Sequence, residues 1–193
     1  IKLSIQHGEI KPNDLNVELL KIEQYTQMAL NFVRLENSQN DLVIKQCELD
    51  KIIRQAIRKF APIFIQKKIN VEYDSSNIEV LTDEKWLGFV IEQLLSNAIK
   101  YTNKGKILIT VSYDRTLIIK DTGIGISSAD LPRIFEKGFT GYNGRQQNRA
   151  TGIGLYLSSK VVKKLNHSLS IDSKIGEGTT VQLELDHTPI WNS

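Results

Sequence analysis

Apolar residues recur at helical spacing between Asn13 and Leu35, at Leu15, Leu19, Leu20, Ile22, Tyr25, Met28, Ala29, Phe32, Val33 and Leu35. No glycine or proline follows Pro12 in this stretch. The spacing predicts one helix with a wide apolar face. The segment Gly8 to Asp14 before it is a breaker, with Asn13 or Asp14 available as N-cap. Residues 1–38 therefore read as a helical hairpin with a shortened first arm. The width of the apolar face favours half of a dimeric bundle over a two-helix extension packed on a domain.

A polar, turn-rich run from Glu36 to Asp41 marks a boundary, which assigns 1–38 to the hairpin and 39–193 to a second domain. Beyond it the pattern alternates. Leu42–Cys47 reads as a strand. Leu49–Lys68 reads as a helix with Ile52, Ile53, Ala56, Ile57 and Phe60 inward. Ile69–Tyr73 and Ile78–Leu81 read as short strands and Asp83–Tyr101 as a long helix. Lys106–Tyr113 and Thr116–Lys120 form a hairpin around Asp114 and Arg115. A glycine-rich polar stretch runs to about Ala150, Gly154–Leu165 is helical, and Leu169–Ser173 and Thr179–Leu185 close as strands. Hairpin-joined strands imply an α+β fold, a mixed and mainly antiparallel sheet with helices on one face.

Composition narrows the function classes. Of 193 residues, 40% are hydrophobic and 24% charged, a globular balance. A net charge of +3, without a basic stripe, argues against nucleic acid as a partner. The single cysteine, Cys47, cannot form an internal disulfide and points to a reducing compartment. No apolar run approaches the ~18 residues that span a bilayer. The chain starts inside an apolar-periodic segment without methionine, which reads as part of a longer protein.

The polar chemistry is ordered along the chain. On the long helix, Gln93, Asn97, and Lys100 or Tyr101 share one stripe. A neutral amide oxygen suits Mg²⁺, which takes hard oxygen ligands and keeps several waters. A lysine one turn on suits a phosphate. Such a stripe is also what any wet helix face looks like. A strand then ends in Asp121-Thr122-Gly123-Ile124-Gly125-Ile126, a turn that lets backbone approach a ligand closely. A buried aspartate there can accept from an adenine amine; a plain Asp-Gly turn is the alternative. Next comes Arg133 to Thr140, with Phe135, Lys137 and Phe139, leading into a polar segment from Gly141 to Ala150. That segment is either merely solvated or functional. Lys137, Arg145 and Arg149 are candidates for a triphosphate on grounds of charge. Thr151-Gly152-Ile153-Gly154-Leu155 opens a helix, whose first N–H groups can bind phosphate. Gly176-Glu177-Gly178-Thr179 joins the last two strands.

Each motif is weak alone, but their order resembles the Bergerat ATP-binding domain shared by histidine kinases, gyrase-type ATPases, Hsp90 chaperones and MutL. The likeness runs from about Asp41 to Leu185, and no P-loop motif occurs. The resemblance implies a two-layer α/β sandwich binding ATP and Mg²⁺. It implies Asn97 as the Mg²⁺ ligand, with Lys100 and Tyr101 against phosphate and nucleotide. Asp121 would read the adenine amine, in a pocket shaped by Gly123, Gly125 and Ile126. Phe135 and Phe139 would anchor one end of a lid, and Thr151, Gly152, Gly154 and Leu155 would hold its far end at the phosphates. Thr179 would close the adenine side.

Gln93 separates transferase from hydrolase. Hydrolysing relatives carry a glutamate one turn before the asparagine as general base. Gln93 cannot take a proton, and Glu92 points about 100° away on a helix. This favours phosphoryl transfer to a side chain over hydrolysis. Among histidine kinases, Val80 to Leu87 and Phe135 to Thr140 most resemble small sensors of cell-envelope stress of the bacitracin-sensor type. That likeness implies a homodimeric plasma-membrane parent, with this domain in the cytoplasm. It implies an upstream phosphoacceptor histidine, a response regulator and a peptide-exporting ABC transporter as partners. Of the three histidines, His7 lies at the Pro12 breaker with its glutamate displaced, and His167 and His187 read as surface residues. The chain is therefore expected to bind Mg-ATP without phosphorylating itself. An ATPase or chaperone of the same superfamily, and an anti-sigma-type serine kinase, are the alternatives.

Overall fold

A computed structural model describes residues 12–36, 42–141 and 151–185. Helix α1 spans Pro12–Glu36. Strand β1 (Lys45–Glu48) leads into α2 (Leu49–Lys67), β2 (Ile69–Tyr73) and β3 (Glu79–Thr82). Helix α3 (Glu84–Tyr101) precedes the hairpin of β4 (Gly105–Val111) and β5 (Thr116–Asp121). After a 3-10 turn at Leu131–Arg133 come α4 (Gly154–Lys164), β6 (Ser168–Lys174) and β7 (Gly178–Glu184).

The main sheet runs β2-β4-β5-β7-β6. Only β2 and β4 are parallel, and the chain between them supplies the crossover such a pair needs. Ile107, Ile109, Leu117, Ile119, Val181 and Leu183 alternate along the strands and are buried on one face. Against that face lies α3, which buries Trp86, Leu87, Phe89, Val90, Ile91, Leu94, Leu95, Ala98 and Ile99. Helix α2 buries Leu49, Ile52, Ile53, Ala56, Phe60, Ile63 and Phe64. The result is the two-layer α+β sandwich.

Local signals set the element ends. Asp83 caps α3: its Oδ1 accepts from Lys85 N (2.9 Å) and Trp86 N (3.0 Å), while Oδ2 accepts from Val43 N (2.9 Å). Lys68 ends α2 in the left-handed conformation at φ 55°. Asp50 ties down the 74–77 turn. It accepts from the Tyr73 hydroxyl, from Ser76 N and Oγ, and from Asn77 N.

Several expectations are corrected. The helix already includes Pro12, so Asn13 and Asp14 lie within it. Proline is tolerated in a first turn, where its missing N–H has no helical partner. The first strand starts at Lys45 instead of Leu42, and the third runs Glu79–Thr82. These two pair antiparallel as a separate ribbon, outside the main sheet. Ile57 is only half-buried. The apolar face of α1 is split: Val17 and Met28 are buried, but Leu15, Leu19, Ile22, Tyr25, Leu30 and Val33 are exposed. His167 is no surface residue. It is 7% exposed, and its Nε2 is 3.1 Å from Thr82 Oγ1.

Candidate nucleotide-binding site

One cavity of about 1020 Å³ opens beside α3 and the ends of β5 and β7. Gln93, Asn97, Lys100 and Tyr101 line it from α3. Asp121, Gly125 and Ile126 line it from the turn after β5, and Thr179 from β7. Phe139, Thr151, Gly152, Gly154 and Leu155 complete the opposite side. Met28, Gln24 and Tyr25 of α1 also border it.

Asp121 is 5% exposed, and Gly123 N donates to its Oδ1 at 2.8 Å. Burial pushes its carboxyl above the ordinary value, with the backbone N–H groups of Gly123 and Thr179 partly offsetting that. Gly123 thus supports Asp121 from behind without lining the cavity. Ile124 N donates to Tyr101 O at 3.1 Å, which fastens the turn to the end of α3. Gly125 sits at φ 72°, where a side chain is strained. A Cβ there would lie 2.1 Å from Lys174 O.

Gly152 likewise takes φ 66°, and Gly138 N donates to its carbonyl at 3.0 Å. This joins the two sides of the segment 142–150. Helix α1 touches both sides as well. Thr151 Oγ1 lies 3.7 Å from Met28 Sδ, and Lys137 Nζ stands 4.5 Å from the Phe32 ring centroid. Lys137 therefore faces α1 and is not among the residues that line the cavity. Phe135 is half-buried and also outside the lining. Arg145 and Arg149 lie outside the described residues.

Beside Gln93, the carboxylate of Glu92 is held by Lys59 at 2.9 Å, and the same ammonium meets Glu23 of α1 at 2.9 Å. Glu92 is absent from the cavity lining. Lys100 is in it, with its ammonium 5.0 Å from the Tyr101 ring centroid.

Two residues escaped the reading of the sequence. Lys67 Nζ donates to Ile99 O (2.5 Å) and Thr102 O (3.0 Å), capping α3 at its C-terminus beside Tyr101. Ser173 Oγ accepts from Ile126 N at 2.8 Å, holding the far side of the Asp121 turn. The basic end of α2 hinted at the first; nothing local marked the second.

Among the described residues, no three His, Cys, Asp or Glu gather around a metal. Asn97 is the neutral amide that would suit a hard cation there: it lines the cavity, and its Nδ2 is buried without a hydrogen-bond partner.

A two-layer α+β sandwich, with a deep cavity between a helix amide, a buried aspartate and two glycine turns, defines an ATP-binding module of the Bergerat type. Residues 82–189 match the sequence model of the histidine kinase-, DNA gyrase B- and HSP90-like ATPases, and the chain belongs to that family. The sensor protein BceS of Halalkalibacterium halodurans is 40% identical over 172 residues, covering 88% of this chain and 52% of that protein. The sensor histidine kinase GraS of Staphylococcus haemolyticus is 36% identical over 178 residues, covering 90% of this chain and 52% of that one. The chain thus spans about half the length of these relatives. The crystal structure of full-length ShkA in complex with AMPPNP shares the fold, with a TM-score of 0.70 at 23% identity, covering 87% of this chain and 35% of that chain. Among the described residues, no helix is long and apolar enough to cross a membrane.

Proposed function

We propose that this chain is the catalytic ATP-binding part of a sensor histidine kinase, donating the γ-phosphoryl group of Mg-ATP to a histidine for relay to a response regulator. The observation that carries this is the α3 stripe in its setting. Asn97 and Lys100 border the cavity, while Gln93 occupies the position of a hydrolase's general base and Glu92 is engaged by Lys59. The α3 stripe beside Asn97 thereby offers no carboxylate to activate water, so the bound phosphoryl group awaits another nucleophile. Asn97 would hold Mg²⁺, which neutralises charge on the phosphates when bound. Asp121, Gly125, Ile126 and Thr179 would hold the base, and Lys100, Thr151, Gly152, Gly154 and Leu155 the phosphate side.

Residues 1–38 would belong to a dimerisation hairpin and 39–193 to the catalytic domain. The exposed stripe Leu15, Leu19, Ile22, Leu30 and Val33 on α1 supports a further helix packing there, from the hairpin or its dimer mate. His167 is buried against Thr82, which counts against it as acceptor; His7 and His187 lie outside the described residues. The likeness to BceS and GraS supports a plasma-membrane parent with this part in the cytoplasm. It also supports a role in sensing envelope stress or antimicrobial peptides, alongside a peptide-exporting ABC transporter.

Calorimetry with Mg-ATP on the wild-type chain, Asn97→Ala and Asp121→Asn tests the site: each variant should weaken binding at least about tenfold. Labelled ATP tests the reaction. The chain alone should neither label itself nor turn over appreciably, and the parent protein should acquire acid-labile phosphohistidine. Rapid steady-state hydrolysis by the chain, lost in Asn97→Ala, would instead support an ATPase.

A further inference from the structure

Asp121, Thr179 and Ser173 form one row across three strands. Thr179 faces Asp121 in the β5–β7 register and Ser173 in the β6–β7 register. Residues directly opposite one another share a face of the sheet. Asp121 and Thr179 line the cavity, and Ser173 stands one strand behind them. A hydroxyl owns one proton and two acceptor sites, so the contacts of Ser173 can be counted. Its Oγ accepts from Ile126 N at 2.8 Å. It lies 2.8 Å from Gly178 O and 2.9 Å from Thr179 Oγ1. A carbonyl cannot donate, so the Ser173 proton goes to Gly178 O. The proton between the two hydroxyls must then come from Thr179. With its proton turned towards Ser173, Thr179 shows the cavity lone pairs only.

We propose that Ser173 is a positioning residue for base specificity: it holds the Thr179 hydroxyl as an acceptor, so that Thr179 and Asp121 together favour a base with an exocyclic amine and disfavour one with a carbonyl at that place. This rests on the nucleotide reading of the same cavity. An adenine amine offers two N–H donors to this acceptor pair. A guanine carbonyl there would meet oxygen lone pairs with no proton between them, an unpaired buried contact. Without Ser173, the Thr179 hydroxyl is free to rotate and donate to the carbonyl.

The test is calorimetric affinity for ATP and GTP, each in excess Mg²⁺, on the wild-type chain, Ser173→Ala, Ser173→Thr, Thr179→Val and the Ser173→Ala/Thr179→Val double variant. The wild-type chain should prefer ATP. Ser173→Ala should narrow that preference by about tenfold, and Ser173→Thr, which keeps the hydroxyl, should preserve it. In the Thr179→Val background, Ser173→Ala should change the ratio by less than about twofold, since no hydroxyl is left to orient. A purely structural role for Ser173 would weaken both nucleotides alike, with the ratio unchanged, and that result overturns the inference. So does an equal shift with and without the Thr179 hydroxyl. If Ser173→Ala does not fold, the ratios for Ser173→Thr and Thr179→Val decide: a preference lost in the first or retained in the second overturns it. ATP binding with an unaltered preference sinks this inference alone, whereas a wild-type chain that binds no ATP sinks the nucleotide reading as well.

Discussion

Gln93 Oε1 lies 2.8 Å from the point where a Cβ on Gly154 would stand. The amide of α3 is thus seated over the first turn of α4, whose N–H groups have no partner within the helix. Gly154→Ala would push against the end of a flexible side chain. It should cost less than about 1 kcal/mol of stability while weakening ATP binding several-fold. Gly152→Ala meets the backbone instead: its Cβ would come 2.4 Å from the Gly138 carbonyl carbon, at φ 66°. That variant should lose roughly 2–3 kcal/mol, read by thermal unfolding. Equal losses in both would mean that the backbone contact is unimportant.

Gln93→Glu restores a proton acceptor at the cavity wall. Phosphate release from ATP should rise by about tenfold or more over the wild-type chain. An unchanged rate would show that position 93 does not reach the attacking water.

The three bonds accepted by Asp83 join the start of α3 to the chain before β1. Asp83→Ala leaves those N–H groups without it at a site that is 6% exposed. A loss of roughly 2 kcal/mol follows, measurable as a shift in urea midpoint at constant slope. Asp83→Ser, able to cap the helix but not to hold Val43 as well, should recover about half.

Acid should loosen the 74–77 turn. Burial alone would raise the Asp50 pKa, but bonds from Tyr73, Ser76 and Asn77 outweigh it and lower it from 3.8 to about 2. A depressed carboxylate stabilises the fold above its unfolded pKa, and that contribution disappears as pH falls through the folded one. After discounting for partial exposure, about 1–2 kcal/mol is at stake. The stability gap between the wild-type chain and Asp50→Asn should therefore be full at neutral pH and shrink between pH 3.8 and about 2. A gap that stays constant through that window would rule out a role for the charge.

The legible parts of this fold are those with local causes. The periodicity of α3 and the strand Ile69–Tyr73 follow from side-chain alternation and caps, and both stand where they were read. The β1–β3 ribbon was not visible, because pairing partners thirty-odd residues apart leave no local trace. The same holds for the site. Asn97, Asp121 and the glycine turns carry order along the chain, and the structure gathers them around one cavity. Lys137 is a phosphate candidate on charge alone, and its neighbour Phe32 could not be foreseen because that ring belongs to α1. Ser173 gave no signal because its contacts come from a neighbouring strand and a distant turn. Lys67 showed only as a basic helix end, since the carbonyls it caps belong to another helix.

The bond from Gly138 N to Gly152 O closes a neck beneath the chain that runs between them. That bond holds the wall residues Phe139 and Thr151, which flank it on either side, near one another. Lengthening a closed loop costs only about 0.6 kcal/mol per doubling. A reporter peptide inserted within 142–150 should therefore leave the fold intact, and labelling of the domain by that route is practical.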